Sequence, residues 1–396
     1  MNSFKSNRQL FFEHVAPTSK FPLAIEISNA QGVYMYGPDG KQYIDFISGI
    51  GVSNVGHCHP KVVAAIQQQA QTYMHLMVYG EYVQAPQVKL AEWFANHLPP
   101  SLNSVYFTNS GAEAIEGAMK LVKRVTGRTK ILSFHHAYHG STQGALSLIG
   151  DESFKQNFRP LLPGCEKLHF NHIDDLQKIN HEVAAVFIET IQGEAGYIPP
   201  SNHYLQFLKQ RCTEVGALLV CDEIQCGAGR TGSWWAFEHY GITPDVLCLA
   251  KGIGGGMPIG AFIASQELMN HFTENPILGH LTTFGGHPVS CAAALACMQA
   301  MEEEHLLDSI PEKERLIREL LQHPSIKSIS GKGLMLAVEF DSFETNKAII
   351  DRCIERGVIT DWFLFNSHSM RIAPPLIITK EEIEKACSII LSCIEE

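Results

Sequence analysis

The chain has 396 residues, 45% of them hydrophobic and 18% charged, a balance that excludes a disordered protein and allows two sizeable cores. Its formal net charge of −11 argues against contact with nucleic acid or with an anionic membrane, both of which need a basic face. The cysteines are scattered with no C-x-x-C pair, MNSFKSNRQLFFEHVAP is not a secretory signal, and no run approaches the roughly 20 apolar residues of a membrane span; reduced thiols and a cytoplasmic protein are expected.

In chain order, GVYMYGPDGKQYIDF (32–46) alternates like a hairpin turning at Pro38-Asp39-Gly40. Between Val105 and Ser265, apolar or β-branched runs alternate with segments of helical period. Strands are predicted at 105–109, 130–134, 184–190, 217–223, 246–251 and 260–265. Near-continuous apolar strands separated by helices imply an α/β domain on a parallel sheet covered on both faces. A long helix is expected from Cys291, and SIKSISGKGLMLAVEF (325–340) reads as an antiparallel strand pair turning near Gly331 and Gly333. NKAIIDRCIERG (346–357) has the pattern of an amphipathic helix. The ending KEEIEKACSIILSCIEE has apolar positions at helical spacing and acids in its first turn, where the helix dipole favours them. The expected organisation is a large domain (51–290) and a smaller α+β C-terminal domain (291–396), the latter joined by an N-terminal segment (1–50).

Ligands of open parallel sheets bind beyond the carboxyl ends of the strands. Three strand ends carry unusual residues. YFTNSGAEAIEGAMKLVKR (106–124) passes through Ser110 and Gly111 into a helix, whose free N–H groups suit a phosphate; an ordinary serine N-cap explains the same residues. ALLVCDEIQCG (217–227) ends in Asp222 and Glu223. Asp222 adjoins the apolar run and needs a partner to stay charged, whereas Glu223 reads equally well as a solvated loop acid. Lys251 closes VLCLAK with no adjacent acid, so partial desolvation would favour its neutral, nucleophilic amine. A phosphate anchor, a buried carboxylate and an amine on one sheet edge are the protein groups that pyridoxal phosphate requires.

These residues resemble those of the class III aminotransferases, pyridoxal-phosphate enzymes of fold type I. The likeness runs from about residue 20 to the carboxyl terminus through SGIGVSNVGHCHP (48–60), TNSGAEAIEGAMKLVKR (108–124), YHGST (138–142), ETIQGEAG (189–196), CDEIQCGAGRTG (221–232), LAKGIGGGMPIGA (249–261), TTFGGHP (282–288) and RIAPPL (371–376). The resemblance implies a mostly parallel seven-stranded sheet, pyridoxal 5'-phosphate as cofactor and a homodimer with shared active sites. Lys251 then matches the Schiff-base lysine, and Asp222 the partner of the pyridine nitrogen. Gln225 would lie near the cofactor's phenolic oxygen, Tyr138 would stack on the ring, and His139 would join the cofactor-binding residues. Ser110, Gly111 and Ala112 would hold the phosphate, together with Thr283 reaching across from the neighbouring subunit. Arg371 matches the arginine that grips the substrate carboxylate, and Glu194 the glutamate that pairs with it when that carboxylate is absent. The implied activity is ping-pong transfer of an amino group to a 2-oxo acid from an ω-amino acid or diamine-type donor: ornithine, an acylornithine or a 4-aminobutyrate-like amine. Ser141 is a departure, because the ornithine and acetylornithine branch usually has there an arginine that binds a distal carboxylate. Its absence makes pyruvate a competitor to 2-oxoglutarate. Cys226 and Ala228, in CGAGRTG, are smaller departures expected to alter packing.

Other readings compete. GHCHP (56–60) and HHAYH (135–139) are rich in histidine, but structural zinc takes paired ligands at C-x-x-C or H-x-x-x-H spacing, and no metal is expected. The glycines after Lys251 do not form a G-x-x-x-x-G-K-[ST] loop. Enzymes of the same fold include decarboxylases, aminomutases and racemases, which fold and cofactor alone do not exclude. A non-catalytic pyridoxal-phosphate-binding protein would be expected to lose the lysine or to carry a DNA-binding module. Trp234-Trp235 and LMVYGEY (76–82) are candidates for a substrate entrance or for plain packing.

Overall fold

The computed structural model describes residues 5–78, 80–201 and 203–396. Its strands are β1 (Asn29–Gln31), β2 (Tyr34–Tyr36), β3 (Gln42–Asp45), β4 (Ser104–Thr108), β5 (Lys130–Phe134), β6 (Cys165–Leu168) and β7 (Val183–Glu189). They are followed by β8 (Leu218–Asp222), β9 (Val246–Ala250), β10 (Gly260–Ala264), β11 (Ser328–Gly331), β12 (Leu336–Glu339), β13 (Val358–Ile359) and β14 (Ser369–Ile372). A seven-stranded sheet in the order β4-β10-β9-β8-β7-β5-β6 carries the centre of the molecule. Strands β7, β9 and β10 are buried along their whole length, as continuous apolar runs require when helices cover both faces.

The sheet is mostly parallel, as expected: β9, β8, β7, β5 and β6 are parallel, and β10 pairs antiparallel with both β9 and β4. The connection 251–259 explains the reversal, since a parallel crossover needs about a dozen residues or more. Strand β6, with its mixed sequence CEKL on the opposite edge, gave no continuous apolar signal.

The hairpin at β2 and β3 forms as expected, and β3 pairs in parallel with β13, so residues 29–45 share a sheet with the C-terminal region. Strands β11 and β12 pair antiparallel, and β14 adds a third strand that aligns Arg371 with Ala337. The long helix expected from Cys291 begins at Pro288, where the missing N–H of a first-turn proline costs nothing. The last two helices span Phe343–Glu355 and Lys380–Ile394. Among the described residues, no helix is long and apolar enough to cross a membrane.

Candidate active site

The carboxyl ends of β7, β8 and β9 surround a cavity of about 300 Å³. Gly111 and Ala112, the first residues of the helix Gly111–Thr126, form one wall. The Ser110 side chain accepts from the N–H of Glu113 at 3.3 Å, and its carbonyl takes that of Ala114. Ser110 therefore caps this helix, while the N–H groups of Gly111 and Ala112 have no acceptor among the described residues. A side chain at position 111 would run into Ile224, its Cβ lying 2.7 Å from the Ile224 Cδ1. Glycine is thus what lets the helix end approach the floor of the cavity.

Asp222, the last residue of β8, is buried and lines the cavity. Its Oδ2 lies 2.7 Å from His139 Nδ1, and Oδ1 accepts the N–H of Ile224 at 3.0 Å. His139 is buried, and its other ring nitrogen, Nε2, has no partner among the described residues. Tyr138 sits at the rim with its hydroxyl 3.1 Å from Ser141 Oγ.

Lys251 follows β9 directly and also lines the cavity. Burial holds its amine below the usual lysine range, opposed by Glu194 and reinforced by Arg371. Its backbone has φ +50°, a left-handed conformation that a side-chain-bearing residue adopts at a cost of order 1–3 kcal/mol. The ammonium has no hydrogen-bond partner among the described residues, so a constrained backbone aims an unsatisfied amine into the cavity.

Glu189, at the end of β7, escaped the sequence reading although it closes an apolar strand just as Asp222 does. It stands beside Asp222 in the sheet register and lines the same cavity. Burial, and then the neighbouring Asp222, push its carboxyl well above the usual range. The N–H groups of Gly193 and Tyr138 donate to it at 2.9 and 3.1 Å.

Glu223 is neither solvated nor part of the cavity lining. It is buried and accepts from Thr190 Oγ1 at 2.8 Å, from the Ala236 N–H at 2.6 Å and from the Phe237 N–H at 2.7 Å. Burial pushes it up to about 7. Successive residues point to opposite faces at this strand end, which puts one acid into the cavity and its neighbour into the scaffold.

Beyond Gln225, which lines the cavity, lies Arg371. Its Nη2 donates to Glu194 Oε2 at 2.9 Å and its Nε to Asp361 Oδ1 at 2.8 Å. The guanidinium stands 4.4 Å from the centroid of the Phe363 ring. Despite burial, which would raise it, Glu194 is held below the usual carboxylate range by Arg371. Asp361 and Tyr197, whose hydroxyl accepts from Nη1 at 3.2 Å, belong to this cluster and were also missed; Asp361 could have been noticed as an acid ending the apolar VIT of residues 358–360.

Other expected residues stand apart. Thr283 is exposed and does not line the cavity. His57 contacts Asp45 at 2.9 Å and His59 contacts Glu304 at 3.0 Å; among the described residues no group of three or more potential ligands could hold a metal. Trp235 is buried with its Nε1–H donated to the His97 carbonyl, and Trp234 packs edge-on against Trp93, so this pair is packing. In 76–82, Val78 and Gly80 line a separate recess, and Tyr79 lies outside the described residues. Cys226 is buried with its Sγ 3.8 Å from the Asp222 carbonyl and forms part of the cavity lining, while Ala228 is buried at φ +52°.

Residues 15–394 match the family model of the class-III aminotransferases. The chain is 41% identical over 378 residues to the acetylornithine aminotransferase of Methanocaldococcus jannaschii, covering 91% of each chain. It is 40% identical over 365 residues to the putrescine aminotransferase of Pectobacterium atrosepticum, covering 87% of this chain and 76% of that one. The ornithine aminotransferase of Toxoplasma gondii superposes with a TM-score of 0.91 at 29% identity, covering 99% of this chain and 94% of that one; the structure of that enzyme shows partial occupancy of pyridoxal phosphate at its active site.

Proposed function

The chain belongs to the class-III aminotransferases, and from that premise we propose that it moves the amino group of a primary ω-amine to a 2-oxo acid with pyridoxal 5'-phosphate. The donor class is ornithine, an acylornithine, a diamine or a 4-aminobutyrate-like amine, in keeping with the relatives named for acetylornithine and putrescine. The observation that carries the reading is the meeting of Lys251, Asp222 and a helix end with two free N–H groups around one cavity.

The residues fit the cofactor. The free N–H groups of Gly111 and Ala112 and the positive end of their helix suit a phosphate. Asp222, steadied by His139, offers a carboxylate to a protonated ring nitrogen, and the orphaned His139 Nε2 marks a place where a polar partner is wanting. Lys251 would hold the aldehyde carbon through Nζ, with Tyr138 and Gln225 flanking the ring. When bound, pyridoxal phosphate supplies an electrophilic carbon for the amine and a ring that accepts the electron pair left when a proton departs.

The protein's own part is acid–base and positional. Desolvation disfavours the charged form of the Lys251 amine, so once a substrate amine has taken its place Nζ is suited to take a proton from the amine-bearing carbon and to give one back. Asp222 is buried beside the cavity, where its carboxylate would stabilise positive charge on the ring nitrogen. Arg371 grips the carboxylate of the oxo acid once Glu194 turns away, and Glu194 returns to cover the guanidinium when an amine without a neighbouring carboxylate enters.

A homodimer with shared sites is part of the reading. Leu281 and Phe284 flank Thr283 and are about half exposed, as Ile277 and Leu278 also are or more so, an apolar patch suited to a second copy.

One observation favours a pyruvate-linked form. Among the described residues, Lys251 and His139 are the basic side chains that line the cavity, no arginine does, and Ser141 hydrogen-bonds to Tyr138. Following the cofactor's visible band during single-amine additions decides the matter. Bleaching by an ω-amine and by glutamate, with recovery in 2-oxoglutarate, supports the dicarboxylate form. An inert glutamate with alanine bleaching and pyruvate restoring the band supports the other. No response to any amine would overturn both.

A further inference from the structure

A guanidinium has five N–H groups. Those of Arg371 are fully engaged: Nε with Asp361 Oδ1, Nη1 with Glu194 Oε1 at 3.1 Å, Tyr197 Oη at 3.2 Å and Gln225 Oε1 at 3.2 Å, and Nη2 with both Glu194 oxygens. Two carboxylates therefore face one cation in a site where both Arg371 and Glu194 are buried. The two acids are held differently. Glu194 reaches in on a long side chain steadied by the Leu364 N–H at 3.1 Å, and it can turn aside. Asp361 is bound twice to the same residue, its carboxylate to Nε and its carbonyl to the Arg371 N–H at 2.8 Å. Next to it, Thr360 Oγ1 donates to the Arg371 carbonyl at 2.6 Å. Rotating Glu194 away thus frees Nη2 and relieves Nη1 of one of its three acceptors, and it leaves Asp361 in place, its charge still opposing that of the guanidinium.

Resting on the donor–acceptor reading above, we propose that Asp361 is a specificity-determining positioning residue. It presents Arg371 to the cavity in one orientation with its charge half cancelled. The site consequently favours amines whose amine-bearing carbon lacks a carboxylate, and it binds substrate carboxylates weakly, at the cost of displacing Glu194. Weak carboxylate binding keeps the acceptor half-reaction from trapping the enzyme, because an oxo acid or the amino acid formed from it leaves as Glu194 returns.

The test uses the holoenzyme and pentanoate, an unreactive monocarboxylate, with binding measured by titration calorimetry. Asp361→Asn keeps an acceptor oxygen for Nε and removes the charge, so pentanoate should bind more tightly, on the order of tenfold. Asp361→Ser carries the same expectation and takes the place of Asp361→Asn should that variant be insoluble. Asp361→Glu retains the charge and should bind pentanoate as the wild type does. In turnover, the KM for the oxo acid should fall in Asp361→Asn by more than the KM for 1,4-diaminobutane changes. Unchanged pentanoate affinity in the folded uncharged variants, or equal tightening in Asp361→Glu, would overturn the proposal. Pentanoate binding needs no turnover, so failure of the donor assignment shows up separately, as a wild-type enzyme inert to primary amines.

Discussion

The strand ends at Asp222, Glu189 and Lys251 and the cage around Arg371 adjoin one cavity, yet they are built in opposite ways. The first is left incomplete among the described residues: an amine without a partner, a buried imidazole nitrogen without a partner and two helix N–H groups without acceptors. The second is complete, with every N–H of the guanidinium taken by the protein's own acceptors. An incomplete site receives a permanent guest, because each unmet donor rewards binding; a complete one can serve only transiently, by exchanging one internal partner for an external one. The difference separates a resident cofactor from substrates that come and go.

Removing the incomplete side's amine gives the largest effect. Lys251→Ala should lower kcat by at least about a thousandfold, since the proton carrier is gone, with the helix end and Asp222 still able to bind cofactor; single-turnover kinetics checks this. The scaffold half of the same strand end comes next. Glu223→Ala leaves three donors unmet in the interior and should cost about 2–4 kcal/mol of stability, read as a lower Tm with cofactor chemistry little altered. Because burial pushes Glu223 up to about 7 from an ordinary 4.5, the folded state holds an extra proton between those values. Its contribution to stability is therefore full below pH 4.5 and lost as the pH rises through about 7, a slope absent from Glu223→Gln in denaturation series.

Breaking the complete side should act on binding. Arg371→Lys replaces a fork with a point charge and should raise the KM for the oxo acid by about ten- to a hundredfold, with a smaller change for the amine in steady-state measurements. The smallest change sharpens the contrast from outside. Ser141→Arg adds a cation at the rim, and glutamate should gain over alanine by up to about tenfold in kcat/KM if the added guanidinium reaches the distal carboxylate.

Much of this architecture is written locally in the chain. Continuous apolar runs marked β4, β5, β7, β8, β9 and β10 within a residue or so at each end, and the acid or amine closing β8 and β9 pointed to the cavity. Strand direction is not local: β9 and β10 look alike as sequences, and only the length of 251–259 distinguishes a reversal from a crossover. Acids are ambiguous for a related reason. Asp222 and Glu223 are adjacent, and which of them meets the cavity depends on the pleat at the end of β8. Glu194 was legible through resemblance, whereas Asp361, outside the quoted motifs, carried only the weak mark of an acid closing a short run, and its role became visible when β13 and β14 brought it to Arg371.

The place of β4 bears on how the protein is made. It is the edge strand that leads into Gly111 and Ala112, and among the described residues its one neighbour in the sheet is β10. A ribosome releasing the chain from its amino terminus exposes residues 104–108 long before residues 260–264 exist to pair with them, and Arg371 emerges later still. Until then an unpaired edge is open to the wrong strand, from this chain or another. Pairing so distant in sequence also makes for slow closure. Nascent chains halted before residue 260 should therefore lack a cofactor-binding cradle however well β5, β7 and β8 have folded, and the enzyme should gain its active site in one late step of synthesis.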